Sequence, residues 1–326
     1  MLIDKLKHKV IFCNDYEKLV NGKLEDMLYK NESIYIFDNL YGFDSNLRNP
    51  ILDYLKKIKF EKDIFIEYLI TSDLEHYNSL NIHTSIQMLD ECNYSWLEGY
   101  NIHPEIDYKH FICTFNRGKR IGREIITGVL KKFRLFNPDT CTKLFTSDVN
   151  YKDTFLSSYE KYLTDDEVFL SNYYTIKNDK NALVDLNLLH GEKIRNNIYE
   201  LEKTLTTSFL HLVSESYSHS YYPFITEKFL YSIVTRGLFL TYGQPNWHKF
   251  IEKYYGFKLF DIFDYSFDSI NDPLERSVML LSEINKFARL SIDDWKDLYE
   301  MEKEIVEFNY DHYMSKGYLE TLKKRV

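Results

Sequence analysis

The sequence predicts an α/β protein with two domains. Short apolar runs of strand length alternate with amphipathic helical patterns through much of the 326 residues, and this alternation is typical of α/β folds with parallel sheets. The alternation breaks at 101–105, a stretch that contains Pro104. We therefore predict an N-terminal α/β domain over 1–107, a second domain over 108–285, and C-terminal helices over 286–326.

Three apolar runs in the first domain have the length and composition of buried strands. They lie at 10–12, 34–37 and 64–70, and a helical pattern at 51–58 separates the last two. Strands separated by helices indicate a parallel sheet. Asp38 follows the second run directly and opens a glycine-containing loop, at the strand end where such sheets bind ligands. The loop also has the composition of an ordinary turn, so both interpretations of Asp38 stay open.

A cationic loop follows the first strand predicted in the second domain, at 110–115. Four basic residues, among them Arg120 and Arg123, fall within a short stretch before a helical pattern. The stretch has no G-x-G-x-x-G and therefore no dinucleotide fingerprint. Positive charge at a helix start opposes the helix dipole. Because of this electrostatic cost, a binding role for the two arginines is as well supported as a solvated surface cluster.

The most informative stretch predicts a strand, a loop, a helix and a second strand in succession. The apolar run at 209–213 has the character of a buried strand. After a polar loop, the hydroxyl of Thr226 is a natural N-cap for a helix, and the spacing of its apolar residues is helical. We expect Gly237 to end this helix, because the apolar run at 238–240 then forms the next strand.

This layout presents free backbone N–H groups at a helix start, which is a common binding site for phosphate. Glu227 and Lys228 fall in the first turn of the predicted helix. An ordinary exposed first turn, with an acidic residue that suits the helix dipole, would have the same two residues. The pattern therefore predicts an anion site without excluding the simpler interpretation.

The same stretch resembles the donor-binding segment of the α1,3-fucosyltransferases and their relatives. Glu215 and Ser216, a short gap, and the run Phe-Ile-Thr-Glu-Lys from Phe224 to Lys228 are similar to that family's Glu-Asn, gap and Tyr-Val-Thr-Glu-Lys. The similarity continues through glycines, a tryptophan and an acidic-aromatic tract to Arg276. Ser216 and Phe224 depart from the family's Asn and Tyr, so the identity of the sugar nucleotide does not carry over.

The resemblance implies a glycosyltransferase of the GT-B type, with two facing Rossmann-like domains and terminal helices that return to the first domain. It implies a nucleoside-diphosphate sugar as donor, bound by the second domain, and a glycan or another acceptor hydroxyl on the first. Lys228 and Arg123 would hold the diphosphate and Glu227 the ribose, while Glu215 would act as the base or hold the donor sugar. The substrate-binding residues are then Arg120, Arg123, Phe224, Thr226, Glu227 and Lys228.

Inversion at the sugar, as in the fucosyltransferases, implies a carboxylate base on the acceptor side. We expect this base within 1–107, with Asp38 as the first choice and Asp44 as the second. The chain lacks the strand-end Asp-x-Asp that marks transferases dependent on a divalent ion. We therefore expect no metal and no other cofactor, with Lys228, Arg123 and backbone N–H groups in place of the ion.

Composition bears on localisation. No apolar run reaches the about 18 residues of a membrane span, the N-terminus lacks a secretory apolar segment, and the 4 cysteines have no CxxC spacing. We expect a cytoplasmic protein of a bacterium or of a virus-infected host. The 10 histidines show no metal-ligand spacing, so His211 and His248 are interpreted as structural. A stripe from Trp295 to Phe308, through Met301, is expected to face the core.

Two other functions stay open. A phage-type enzyme that glycosylates hydroxylated bases in DNA fits the abundance of Lys, Asn, Ile and aromatic residues, which is typical of AT-rich genomes. The net charge of −9 opposes it, unless basic side chains line one cleft. The second alternative is a non-catalytic relative that binds nucleotides or carbohydrates.

Overall fold

The structure, a computed structural model, divides into two compact units. The first consists of residues 1–92 and 219–222, and the second of residues 93–218 and 223–326. It describes residues 9–12, 33–37, 50–67, 78–85, 97, 99–104, 107–117, 122, 125–126, 129–130, 133–135, 141–145, 197–215 and 225–325. Each unit contains a four-stranded sheet in which every described pair of strands is parallel. The predicted α/β class with parallel sheets is confirmed, whereas the facing arrangement of the two domains stays a prediction.

The first sheet has its strands in chain order. They are β1 (Lys9–Phe12), β2 (Ile34–Phe37), β3 (Ile64–Glu67) and β4 (Ile82–Ser85). The helix α1 (Pro50–Lys57) connects β2 to β3 and buries Leu52 and Leu55, which are one helical turn apart. The three predicted strands and the helix are confirmed. We did not predict β4, because its sequence Ile-His-Thr-Ser contains a single apolar residue.

The second sheet has the strand order β6-β5-β7-β8. Its strands are β5 (His110–Arg117), β6 (Cys141–Phe145), β7 (Ser208–Ser214) and β8 (Leu238–Tyr242). From β5 the chain forms β6 on one side and then returns to form β7 on the other. Such a reversal creates a crevice at the carboxyl ends of the two central strands, and ligands bind there in open α/β sheets.

The described helices of this unit follow its strands and continue to the end of the chain. They are α2 (Asn197–Thr206), α3 (Glu227–Val234), α4 (Trp247–Phe250), α5 (Pro273–Asn285), α6 (Ile292–Met314) and α7 (Gly317–Arg325). A π-helical turn at Ile251–Tyr255 and a 3-10 turn at Tyr265–Ser269 lie between α4 and α5. None of the helices in the described ranges is long and apolar enough to cross a membrane.

Aromatic packing holds the start of α3 against the sheet. Phe229 lies in the first turn of α3 and is fully buried. Its ring makes edge-on contacts at centroid distances of 5.1–5.2 Å with Phe239 on β8, Trp247 and Phe257. Edge-to-face pairs of this kind add to the stabilisation from apolar burial. The position of the helix start is therefore fixed from its core side.

The buried face of α6 differs from the predicted one. Met301 is 73% exposed and Phe308 is 36% exposed, whereas Glu302 and Asn309 are buried. Glu302 accepts hydrogen bonds from two backbone N–H groups in the Asp261–Ile262 turn, and Asn309 exchanges two with the backbone of Lys258. The prediction is right for Trp295, which stacks on Phe209 with ring centroids 5.6 Å apart. It is wrong for Met301 and Phe308, because Glu302 and Asn309 take the buried positions and bond loop backbone. The expected return of the terminal helices to the first domain stays a prediction.

The turn between α3 and β8 also corrects one expectation. The residue with left-handed backbone after the helix is Arg236, with φ 52°, and not Gly237. Gly237 is required for space, because a Cβ there would lie 2.1 Å from Cε1 of His211. The imidazole cannot easily move, since its Nε2 is 2.8 Å from the carbonyl oxygen of Leu205.

We predict that Gly237→Ala lowers the free energy of unfolding by about 1–3 kcal/mol, the usual cost of overpacking a core. Urea titration measures the effect. The double variant Gly237→Ala/His211→Ala should lose less than the sum of the two single variants, because removing the ring makes room for the methyl group. Additive losses would show that the clash with His211 is not the cause.

Candidate functional site

The carboxyl edge of the second sheet carries the candidate site. Cys113 of β5 is paired with His211 of β7, and the two parallel strands end close together, at Arg117 and Ser214. The segment after β7 leads into α3, and the cationic segment follows β5 in the sequence. Both loops therefore leave the sheet at the reversal of strand order, where a ligand crevice is expected.

The eight candidate residues fall into two sets. Four of them lie outside the described residues, and for these the predicted roles stay predictions: Asp38, Arg120, Arg123 and Phe224. The other four are described and lie together between the end of β7 and the first turn of α3: Glu215, Thr226, Glu227 and Lys228.

Thr226 is the N-cap of α3, as the sequence predicted. Its backbone is extended, with φ −119° and ψ 173°, and its hydroxyl oxygen accepts a hydrogen bond from the backbone N–H of Lys228 at 3.4 Å. This contact satisfies one of the N–H groups that a helix start leaves without an intrahelical partner. Thr226 is therefore accounted for by helix capping, whether or not it also contacts a ligand.

Glu215 links the end of β7 to the start of α3. Its Oε1 accepts a hydrogen bond from the backbone N–H of Thr226 at 3.0 Å, although the two residues are eleven positions apart. Its own N–H donates to the carbonyl oxygen of Tyr242, at the end of β8, at 3.0 Å. The side chain is fully buried, and among the described residues its Oε2 has no hydrogen-bond partner.

The cation of the site, Lys228, is partly buried beside the N-cap of α3. The Nζ of Lys228 is 3.0 Å from Oε1 of Glu227 and 3.4 Å from the hydroxyl oxygen of Thr226. The side chain of Lys228 is 16% exposed and that of Glu227 is 19% exposed. Because both side chains keep some contact with solvent, an anionic ligand can reach the ammonium group and compete with Glu227 for it.

Burial controls the protonation of Glu215. Loss of hydration raises the pKa of its carboxyl to about 7, because the charged form is the one that burial disfavours. The nearby ammonium of Lys228 and the hydrogen bonds from Thr226 act in the opposite direction, and the carboxylate of Glu227 acts in the same direction as burial. Near neutral pH, this carboxyl is therefore poised between its acid and its carboxylate form.

The site combines groups that suit an anion with a carboxyl that can be neutral. An ammonium group in the first turn adds to the positive end of the α3 dipole. Two N–H groups at this helix start are already used, that of Thr226 by Glu215 and that of Lys228 by the Thr226 hydroxyl. The attraction for an anion therefore comes chiefly from the ammonium of Lys228. In the part of the chain that the structure describes, no cluster of His, Cys, Asp or Glu could hold a metal ion.

The structure confirms the structural interpretation of His211. It is buried in β7, and its Nε2 lies 2.8 Å from the carbonyl oxygen of Leu205, to which it donates. Burial lowers the pKa of the imidazole to about 4, so the ring is neutral at physiological pH. A neutral ring inside a packed strand supports the sheet and does not reach the crevice.

His248 is also structural. Its Nδ1 donates to Oδ1 of Asp268 at 2.8 Å, and its Nε2 accepts from the backbone N–H of Thr241 at 3.1 Å. The carboxylate of Asp268 accepts further hydrogen bonds from the backbone N–H groups of His248 and Lys249. Both ring nitrogens are thus used in joining α4 to β8 and the following turn.

Several residues that carry the family resemblance beyond α3 have structural roles. A Cβ at Gly243 would lie 2.6 Å from the buried ring of Trp247, and Gly256 has left-handed backbone with φ 78°. Asp272 caps α5 by accepting from the N–H of Glu275, and Arg276 is buried with its guanidinium on the backbone carbonyls before α5. This part of the resemblance is explained by folding alone.

We predict that the buried Glu215 carboxyl makes stability fall as pH rises from about 4.5 to about 7. Its folded-state pKa lies above the unfolded value, so the folded state binds more protons in this window, and the stabilisation present at low pH is lost as pH rises. A shift of this size corresponds to roughly 3 kcal/mol. The neutral variant Glu215→Gln should therefore gain stability relative to the original protein between pH 5 and pH 8.

Urea titrations of both proteins at the two pH values measure this gain. The contribution of His211, whose pKa is lowered and which acts in the opposite direction, is the same in both proteins and cancels in the difference. A stability difference that is equal at the two pH values would mean that Glu215 is ionised throughout.

No family model matches the sequence, and no curated protein does. Among solved structures, the chain is similar to an α,α-trehalose-phosphate synthase (UDP-forming) from Burkholderia vietnamiensis, with 9% identity, a TM-score of 0.38, and coverage of 94% of this chain and 78% of that one. The corresponding enzyme from Burkholderia xenovorans has 9% identity, a TM-score of 0.36, and coverage of 95% and 78%. Scores below 0.5 do not establish a shared fold, so function rests on the site itself.

Proposed function

We propose that this protein is a glycosyltransferase that takes its sugar from a nucleoside-diphosphate sugar. The observation that carries the proposal is the position of Lys228, whose ammonium lies 3.4 Å from the N-cap hydroxyl of α3, at the edge where the strand order of the second sheet reverses. A cation, a helix start and a switch-point edge together suit a ligand with a negatively charged phosphate group.

The reaction requires stabilisation of the leaving nucleoside diphosphate as negative charge develops on it. In our assignment Lys228 and Arg123 hold the diphosphate, with Arg120 beside them, and Glu227 accepts from the ribose hydroxyls once the ligand has displaced it from Lys228. Two cations and the helix start would take the place of a divalent ion, so we propose a metal-independent enzyme.

Phe224, Thr226 and Glu215 complete the donor side of the proposal. Thr226 keeps the first turn in place through its cap, and Phe224 occupies the position of the family's tyrosine. Glu215 lies on the same side as the diphosphate-binding Lys228, so we assign it to holding the donor and not to deprotonating the acceptor.

The acceptor and the base belong to the first domain in this proposal. Asp38 directly follows β2, which ends at Phe37, at the carboxyl end of a parallel sheet. A transfer with inversion, as the fucosyltransferase-like segment suggests, needs a carboxylate there to take the proton of the acceptor hydroxyl. A glycan is the acceptor that the resemblance favours, and no observation on the described residues favours DNA.

We predict that the protein binds nucleoside diphosphates and that Lys228→Ala and Arg123→Ala each weaken donor use by roughly tenfold to more than a hundredfold. A charge-assisted contact to phosphate is worth about 1.5–3 kcal/mol. A thermal-shift series with GDP, UDP, ADP and CDP identifies the base, because a ligand bound only by the native state raises the melting temperature. Donor turnover is then compared among the variants.

Lys303→Ala is the matched control, since Lys303 also pairs with a glutamate, Glu300, but lies on the exposed side of α6. Its donor use should equal that of the original protein. Unchanged transfer in both Lys228→Ala and Arg123→Ala would remove the site assignment. A large drop in the melting temperature without ligand would instead make these residues structural.

We further predict that Asp38→Asn lowers turnover by about a hundredfold to ten-thousandfold, the usual contribution of a positioned base. Donor affinity should stay nearly unchanged, because the diphosphate is held by the other domain. Single-turnover rates and titration with the nucleoside diphosphate separate the two quantities. Full turnover, or loss of donor binding, in Asp38→Asn would show that the base lies elsewhere, and Asp44→Asn is then the next variant.

A further inference from the structure

Glu215 has an unmet hydrogen-bonding requirement that the fold does not explain. Its Oε1 is used by the backbone N–H of Thr226, while its Oε2 is buried and has no partner among the residues described. In the ionised form this oxygen would carry charge without a donor, and in the neutral form its O–H would lack an acceptor. Buried polar atoms are almost always satisfied, so the missing partner of Oε2 would have to be a group that arrives with the ligand.

We propose that Glu215 takes up a proton from solvent at Oε2 when a nucleoside diphosphate binds beside Lys228, and that the resulting O–H donates a hydrogen bond to the ligand. One O–H bond forms on Glu215, and the hydronium ion or buffer acid that supplies the proton loses its own bond to it. The inference rests on the proposed function, since it needs a phosphate at the start of α3, and it makes Glu215 a proton-linked donor-binding residue.

The surrounding charges support proton uptake. On α3, the ammonium of Lys228 favours the ionised form of Glu215 and the carboxylate of Glu227 opposes it. On β8, the backbone carbonyl of Tyr242 accepts from the N–H of Glu215, and the Tyr242 hydroxyl donates to the carbonyl oxygen of Pro273. The guanidinium of Arg276 on α5 lies 5.5 Å from the centre of the Tyr242 ring.

A bound diphosphate changes this balance in one direction. Its negative charge pairs with Lys228 and cancels the strongest local influence that holds Glu215 ionised. It also repels a second negative charge in the same buried place. Both effects raise the pKa of the carboxyl, which burial has already brought to about 7. The proton then converts a repulsive carboxylate into a hydrogen-bond donor to phosphate.

The consequence is a specific pH dependence of affinity. Below the pKa that Glu215 has in the free protein, its carboxyl is neutral with or without ligand. In this range its protonation therefore adds no pH dependence to the affinity. Above about pH 7 the free protein has lost the proton, and binding must restore it, so the Kd rises by up to about tenfold per pH unit. The second ionisation of a terminal phosphate has a pKa of about 6, so it does not contribute above pH 7.

Calorimetric titration with GDP and UDP at pH 8, in two buffers of different ionisation enthalpy, counts the protons taken up. We expect the original protein to take up a substantial fraction of one proton, and its Kd to rise from pH 7 to pH 9. In Glu215→Gln, the amide oxygen still accepts from Thr226 and the amide N–H₂ replaces the acid O–H. This variant should bind with no proton uptake and with a Kd that is flat over the same range.

Glu302→Gln is the matched control, because Glu302 is also a buried glutamate with a raised pKa but lies on α6, where it bonds the Asp261–Ile262 turn. It should keep the proton uptake of the original protein. Circular dichroism checks that each variant is folded. Should Glu215→Gln not fold, the pH at which uptake begins in the original protein decides, and an onset far from about 7 overturns the inference.

The outcomes separate the two proposals. Nucleoside-diphosphate binding without proton uptake, or uptake that persists in Glu215→Gln, overturns the inference and leaves the donor site in place. The absence of any nucleoside-diphosphate binding by the original protein at pH 6 to pH 9 overturns the proposed function and the inference together.

Discussion

The hydrogen bond from the N–H of Thr226 to Oε1 of Glu215 is the constraint on which the candidate site depends. It joins the residue that directly follows β7 to the N-cap of α3, which lies eleven positions later in the sequence. On the core side, the ring contacts of Phe229 with β8 and its neighbours fix the same helix start. With both ends of the first turn held, Lys228 is presented at one place on the edge of the sheet.

The charges of the second unit differ in how completely they are compensated. Arg236 donates to both carboxylate oxygens of Glu307 and to a backbone carbonyl, and its guanidinium lies 3.5 Å from the ring centre of Tyr310. Asp268 is bonded to His248 and to two backbone N–H groups. Buried charges normally need such partners. Glu215 is the exception that matters here, because one of its oxygens is satisfied within the described residues and the other is not.

The sequence predicts those parts of the fold that depend on local residue patterns. The N-cap at Thr226 and the strands β2, β3, β5, β7 and β8 follow from apolar runs and capping chemistry, and the structure confirms them. Strand β4 has too few apolar residues to be visible, and the buried face of α6 depends on Glu302 and Asn309, which bond loop backbone far away in sequence. The contact of Glu215 with Thr226 was likewise invisible, because no local pattern shows which side chain a cap N–H will meet.

Two glutamates, Glu215 and Glu227, lie at the start of α3 and differ in how they are bonded and buried. Glu227 pairs with Lys228 at a position where both side chains keep some contact with solvent, so the phosphate of the proposed donor could compete with Glu227 for the ammonium group. Glu215 is held in place on the core side, because it and Thr226 are both buried and are hydrogen-bonded to each other. A ligand can therefore displace Glu227 without moving α3. Glu215 is fixed by its bond to Thr226, so in the proposed mechanism the ligand changes the charge of Glu215 and not its position. For this reason we assign the coupling of binding to pH to the fully buried Glu215 and not to the partly buried Glu227.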